Sequence, residues 1–368
     1  MRRLLVLGGI AAFVLRAAAA GAACSSGTEL IQDFPTSGGA VSEWKLCYDI
    51  QRMPDESGSP TASETLILSE ATFRPGAAAT PVSVLGDLRL VEIFVPYNSG
   101  GPRFTDLTGF DFDLQALTTT ECPSTRLSGN RICKEVSDRD LAWRDPDVPI
   151  ARRGERLVLW SLLNAANYDY VMYYAFYDDG TIEVRAGSTG RKLGGPDDTE
   201  GHEHVFAWRI NLDVAGAGGD TVSVSNQSFG GKSVREKAEV LSTEAGVPWS
   251  AAGFTDVEVD DNARTNANGR LTGYALKPLR SGLPKFREPW TRYPIWVTRN
   301  HPNELRAEGL PGYLDRESVE NQDVVLWYLD THHHEQNMRD EDRDTVPVLW
   351  TTFQLVPQNL WNGTPFYP

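Results

Sequence analysis

Apolar residues occur along the chain in short runs broken by Gly, Pro, Asp and Asn. This is the pattern of strands joined by tight turns. Strands are expected at Leu66-Ile67-Leu68 and over residues 82–85, 88–95, 157–163 and 170–177. After the last of these, Asp178-Asp179-Gly180-Thr181 turns into Ile182-Glu183-Val184. Residues 204–212 alternate like a half-buried strand, residues 213–220 read as a turn, and 324–328 and 346–355 read as further strands. Residues 54–60 are a loop by composition. Helical periodicity is confined to residues 234–243. No repeat or internal domain boundary is evident, so the fold class is mainly β, one large antiparallel β-sandwich.

Composition supports this and adds a compartment. Of 368 residues 40% are hydrophobic, enough for a sizeable core, and 33 Gly with 22 Pro suit many turns. Met1-Arg2-Arg3, the apolar residues 4–15 and the small residues 17–23 read as a cleaved export signal. Arg16 leaves the apolar run too short for an anchor, and no other segment is long and apolar enough for a transmembrane span. The expected division is a signal peptide at 1–23, an N-terminal extension at 24–43 and the sandwich at 44–368. A lipoprotein acylated at Cys24 is the alternative, with Gly21 where a large apolar residue is usual. Export to a secreted or periplasmic location is oxidising, and Cys24, Cys47, Cys122 and Cys133 allow two disulfides in three pairings. Asn226-Gln227-Ser228 and Asn362-Gly363-Thr364 fit the glycosylation pattern. A formal charge of -15 argues against nucleic acid and anionic lipid and suits cationic substrates such as amines.

The candidate chemistry starts at His202-Glu203-His204. Residues i and i+2 of a strand share a face, so both imidazoles can reach one ion while Glu203 points away. A polar strand end is the plainer alternative. The other histidines are His301 and the consecutive His332, His333 and His334. A third imidazole from that run would complete a site for copper, zinc, iron or nickel. Tyr168, in Asn167-Tyr168-Asp169-Tyr170, reads by itself as a packed strand residue. Asp111, in Gly109-Phe110-Asp111-Phe112-Asp113, is either a base among aromatics or a turn carboxylate.

Together these segments resemble the copper amine oxidases, the quinone-containing amine oxidase family, over about residues 44–357. Glu92-Ile93-Phe94-Val95-Pro96-Tyr97 is similar to the segment carrying an active-site tyrosine, and Asp111 lies fourteen residues after Tyr97, at the place of the catalytic base (the proton acceptor). Asn167-Tyr168-Asp169-Tyr170 resembles the cofactor signature, whose first Tyr becomes topaquinone. His202 and His204 resemble the first two copper ligands, and Tyr293-Pro294-Ile295-Trp296-Val297-Thr298 a later strand. The family's third ligand follows a strand Trp by seven residues, which from Trp327 selects His334 over His332 and His333. Glu341-Asp342 and Val346-Pro347-Val348 resemble the stretch that follows it.

The resemblance implies an intradomain disulfide between Cys122 and Cys133. It also implies a peripheral calcium site at Asn211, Leu212, Asp213, Asp323 and Val324, with Asn211 replacing a usual Asp. The fold implied is the catalytic-domain sandwich without the small N-terminal α/β domains. The function implied is oxidation of a primary amine by dioxygen to aldehyde, ammonia and hydrogen peroxide, with copper(II) and topaquinone as cofactors and a homodimer as the assembly. Tyr168 would form the Schiff base, Asp111 would take the α-proton, and Tyr97 and Asn167 would orient the ring. Phe104, Phe110 and Phe112 are candidates for a lining that suits aryl or hydrophobic alkyl amines. The departures are Asn164 at the start of the signature, shortened gaps from Asp111 to Tyr168 and from Tyr168 to His202, and extra residues after His334. They motivate an alternative, a secreted copper-binding or interaction protein of the same fold that no longer forms the quinone. A three-His iron oxygenase is a third reading.

Overall fold

The computed structural model describes residues 24–37, 41–191, 201–230, 233–283, 286–334 and 346–362. The expected signal peptide, Glu341-Asp342 and most of the second glycosylation pattern lie outside them. Among the described residues the strands are β1 (Thr28–Phe34), β2 (Ser42–Arg52), β3 (Glu64–Arg74), β4 (Val82–Leu85), β5 (Asp87–Pro96), β6 (Arg103–Thr105), β7 (Thr125–Leu127), β8 (Ile132–Arg144), β9 (Ala151–Ala165) and β10 (Tyr168–Tyr177). The chain continues with β11 (Ile182–Gly190), β12 (His202–Asn211), β13 (Asp220–Gly230), β14 (Ser233–Val240), β15 (Ala245–Val247), β16 (Asp256–Thr265), β17 (Leu271–Arg280), β18 (Ile295–Arg299), β19 (Val324–His334) and β20 (Val346–Gln358).

They form two ten-stranded sheets. One runs β1-β2-β3-β5-β12-β19-β18-β15, with β4 on β3 and β6 on β5. The other runs β14-β13-β16-β17-β20-β11-β10-β9-β8-β7. Every pairing is antiparallel, for example β12 with β19 and β10 with β9 and β11. This is the antiparallel sandwich expected from the apolar pattern. Period-2 alternation turns Phe206, Trp208 and Ile210 of β12 inward. There Trp208 meets Tyr174 of β10 at 5.8 Å and Phe353 of β20 at 5.9 Å between ring centroids. The opposite face of β12 is covered as well: Arg209 is buried and bonds Asp87, Asn300 and the carbonyl of Glu304. Burial on both faces is why β12 reads as almost continuously apolar after His204.

One expectation changes. Residues 234–243 are not helical: β14 pairs with β13 over Ser223↔Val240 to Gly230↔Ser233. The hydrogen bonds of that hairpin outweigh a weak local helical period. The described part of the expected N-terminal extension is tied to the sheet: β1 pairs along β2 and Cys24 is bonded to Cys47. The sulfur of Cys24 is then unavailable for a lipid thioether. Cys122 and Cys133 form the second disulfide. No described helix is long and apolar enough to cross a membrane.

Candidate metal centre and adjoining cavity

The central strands of the two sheets face each other where β12 begins and β19 ends. Their register pairs His202 with His334, Glu203 with His333 and His204 with His332. Alternation sends Glu203 and His333 to the outer face, where they bond each other at 2.9 Å. His202, His204 and His334 are buried inside, with ligand nitrogens all within 4.8 Å of one another. His202 Nε2 lies 3.1 Å from His204 Nε2 and 3.1 Å from His334 Nδ1. Nitrogens about 2.0–2.1 Å from one ion stand at such separations, and a set of imidazoles suits copper. Burial first, then the imidazoles of His332, His202 and His334, hold the pKa of His204 well below the ordinary value. His204 is therefore a neutral donor. His332 also faces inward, but its Nε2 lies 2.8 Å from the hydroxyl of Ser188.

Tyr168 comes from the facing sheet. Ala165 pairs with Tyr168, so Ala166-Asn167 is a two-residue hairpin loop that begins β10 at the tyrosine. Ala166 has φ 61°, a left-handed conformation rare for a residue with a Cβ. Gly190, opposite Tyr168 on β11, has φ 138°, and a Cβ there would stand 2.3 Å from the Asn167 carbonyl oxygen. Glycine thus allows the close approach that seats this turn. The Tyr168 hydroxyl reaches 2.8 Å from His334 Nδ1 and 3.1 Å from His202 Nε2. Asn167 donates to the carbonyl of Arg191 at 3.0 Å. Asn164 donates to Asp169 across the hairpin at 2.8 Å, so the departure at the start of the signature is accommodated by a local bond. Tyr97 is buried, its backbone bridges to His202, and its ring stacks on that imidazole at 4.5 Å.

A cavity of about 120 Å³ opens beside Tyr168. Tyr97, Asn167, Phe104, Phe110 and Phe112 line it, as does Asp106. Asp111 does not line it: that residue is exposed, and its carbonyl accepts from Arg52. Asp106 is the carboxylate that the structure brings in, and sequence reasoning missed it. Tyr170 donates to Asp106 at 2.5 Å, and the same hydroxyl lies 3.3 Å from His204 Nδ1. Burial raises the pKa of Asp106 to about 6, against the lowering effect of that hydrogen bond. The turn after β6 is held by the buried carboxyl of Glu92, which accepts from the amides of Leu107 at 3.2 Å and Thr108 at 3.4 Å and from the Thr108 hydroxyl. The same turn includes Asp106, whose amide bonds Ile93.

At the far end of the same strand pair lie the residues expected to hold calcium. Asn211 ends β12, Leu212 and Asp213 follow it, and Asp323 immediately precedes Val324 at the start of β19. The structure adds Asp220, whose Oδ2 accepts from the amide of Val324 at 3.2 Å. One side-chain oxygen on each of Asn211, Asp213, Asp220 and Asp323 is buried without a hydrogen-bond partner. Burial and then Asp323 raise Asp213 to about 6. Burial, with Asp323, Asp213 and Asp261, raises Asp220 to about 8 against the lowering bond from Val324. Unpartnered buried oxygens of this kind fit a hard cation. Nothing in the local sequence marks Asp220, which reads as the end of a turn.

The sequence model of the copper amine oxidase enzyme domain matches residues 114–196 and 197–367. The match covers more than half of the chain, and the chain belongs to the copper amine oxidase family. A peroxisomal copper-containing diamine oxidase of Nicotiana tabacum is 27% identical over 321 residues, 72% of this chain and 38% of that protein. The histamine oxidase of Arthrobacter globiformis is 27% identical over 290 residues, 64% of this chain and 41% of that protein. Among solved structures, lysyl oxidase of Pichia pastoris gives a TM-score of 0.69 at 18% identity, over 88% of this chain and 52% of that one. A copper-containing benzylamine oxidase from Hansenula polymorpha gives 0.65 at 18% identity, over 83% and 60%. At that identity the likeness is one of fold. The chain spans less than two thirds of the length of each of these relatives.

Proposed function

We propose that the protein is a primary-amine oxidase that converts RCH2NH2, O2 and H2O into RCHO, NH3 and H2O2. The observation that carries this reading is the Tyr168 hydroxyl within 3.1 Å of two of three converging buried imidazoles, beside a cavity that contains a buried carboxyl. His202, His204 and His334 would hold the copper ion, and Tyr168 is the residue that would become topaquinone. When present, copper and the quinone supply dioxygen reduction and an electron-accepting carbonyl.

The chain's own residues do the rest. Asp106 is the general base for the α-proton: a pKa near 6 leaves it ionised at neutral pH and more basic than an ordinary Asp. Tyr170 holds one oxygen of that carboxyl. Tyr97 and Asn167 bound the space around the ring of Tyr168 and restrict its orientation. The apolar walls exclude water from the carboxyl, which strengthens its interactions. The two disulfides support folding in an oxidising compartment, in keeping with export. A homodimer is part of the same proposal, and sedimentation tests it.

We assign a second cation, calcium, to Asn211, Asp213, Asp220 and Asp323, with the carbonyls of Leu212 and Val324. Four buried oxygens without partners support it. Asp220 would restore the negative charge that Asn211 lacks.

The test is to load the full chain with copper in air, then follow quinone staining, visible absorption and amine-dependent peroxide. Colour with peroxide release is expected. A colourless protein that still binds one copper would leave a copper-binding relative without the quinone.

A further inference from the structure

From the cavity we infer that the amine is a monoamine with an aromatic or bulky apolar group, and not an aliphatic diamine. This rests on the oxidase reading above. Phe104, Phe110, Phe112, Tyr97 and Val95 form the walls, and Asp106 is the lone carboxylate among the described lining residues. Phe110 and Phe112 stack on each other with centroids 5.0 Å apart at 24°, and Phe110 is 42% exposed, so the pair stands at the mouth. A cavity of about 150 Å³ is enough for a benzene ring. The 120 Å³ here is smaller but open on one side, so a ring would sit partly in the mouth, with its aminomethyl group directed inward to Tyr168 and Asp106.

A diamine fits this chemistry poorly. Its first ammonium takes the place near Asp106, and its second then lies against phenyl rings. Removing an ammonium from water costs several kcal/mol, and the face of an aromatic ring returns only about 0.5–2 kcal/mol. The nearby carboxylates do not help: Asp113 is paired with Arg52, and Asp111 is exposed and outside the lining. A benzyl group instead exchanges water for ring contacts at the same walls. The overall charge of -15 attracts every amine alike and does not discriminate.

Two measurements test this. In the copper-loaded full chain, peroxide release should give kcat/KM for benzylamine at least about 100-fold above putrescine, the scale on which apolar pockets discriminate. Phe112→Asp should narrow that ratio at least about tenfold by offering the second ammonium a partner. In the copper-free full chain, saturation-transfer NMR should show contact with benzylamine and none with putrescine. Equal turnover of both amines, or putrescine preferred, would overturn the inference and leave the oxidase reading standing. Selective benzylamine binding without peroxide from any amine would sink the oxidase reading and keep the ligand class. No benzylamine signal in either measurement overturns the inference.

Discussion

The strand pair β12–β19 carries a different set of buried donor atoms at each end. At one end three imidazoles converge; at the other lie three carboxyls and an amide oxygen. Burial does the same thing at both ends, which is to disfavour charge. It lowers the pKa of His204 and raises those of Asp213 and Asp220. The difference lies in the donor atoms. Nitrogens with an oxidisable phenol beside them suit redox copper, whereas oxygens alone suit a hard ion with no redox role. On the proposed reading, one pair of strands carries a redox site and a structural ion site about its whole length apart.

The largest effect separating the two ends should come from Tyr168→Phe. Copper content should stay near one per chain by metal analysis, while quinone colour and peroxide release vanish. Activity that survived would remove Tyr168 from the chemistry. His334→Ala should lose copper, whereas His332→Ala should keep it, because the latter imidazole is turned to Ser188.

Next comes Asp106→Asn, expected to lower kcat by about 10²–10⁴-fold with copper and quinone retained. In the unaltered protein the acid limb of kcat/KM should lie near pH 6, since Asp106 must lose its proton to act. Tyr170→Phe removes a bond that lowers this pKa, so the limb should move to higher pH. Asp111→Asn should leave the profile where it is.

At the carboxylate end the readout is stability. Unfolded Asp titrates near 3.9, and folded Asp220 near 8, so between about pH 4 and 8 the folded chain binds the extra proton. Stability of the calcium-free chain should then fall as pH rises through that window. Calcium should reverse the fall, and Asp220→Asn should flatten it. A melting temperature at pH 8 that ignores both calcium and chelator would exclude the assignment. The smallest effect belongs to Ala166→Gly, which relieves a left-handed φ and should stabilise by about 1 kcal/mol or less in denaturant unfolding.

Two ways of counting along the chain fared differently. From Trp327 to His334 the count stays inside β19, where side chains alternate strictly, so seven residues lead to the imidazole that meets His202 and His204. From Tyr97 to Asp111 the count crosses the turn after β5, the short β6 and a second turn. Loop lengths vary without disturbing a sheet, so a fixed distance leads past the cavity, and the carboxyl that lines it is Asp106.

The apolar rhythm was enough for the sandwich and for strands within β4, β5, β9 to β12, β19 and β20, while the common face of His202 and His204 followed from their i, i+2 spacing once β12 is seen to begin at His202. Alternation is local, and a strand buried on one or both faces writes it directly into the residues. Only the tertiary structure decided that β14 is a strand, that Cys24 bonds Cys47, that Asp220 joins Asp213 and Asp323, and that Asp106 rather than Asp111 stands beside Tyr168. Each of these depends on which strand lies next to which and how far an intervening loop reaches. Those are properties of long-range pairing, which no single stretch of sequence contains.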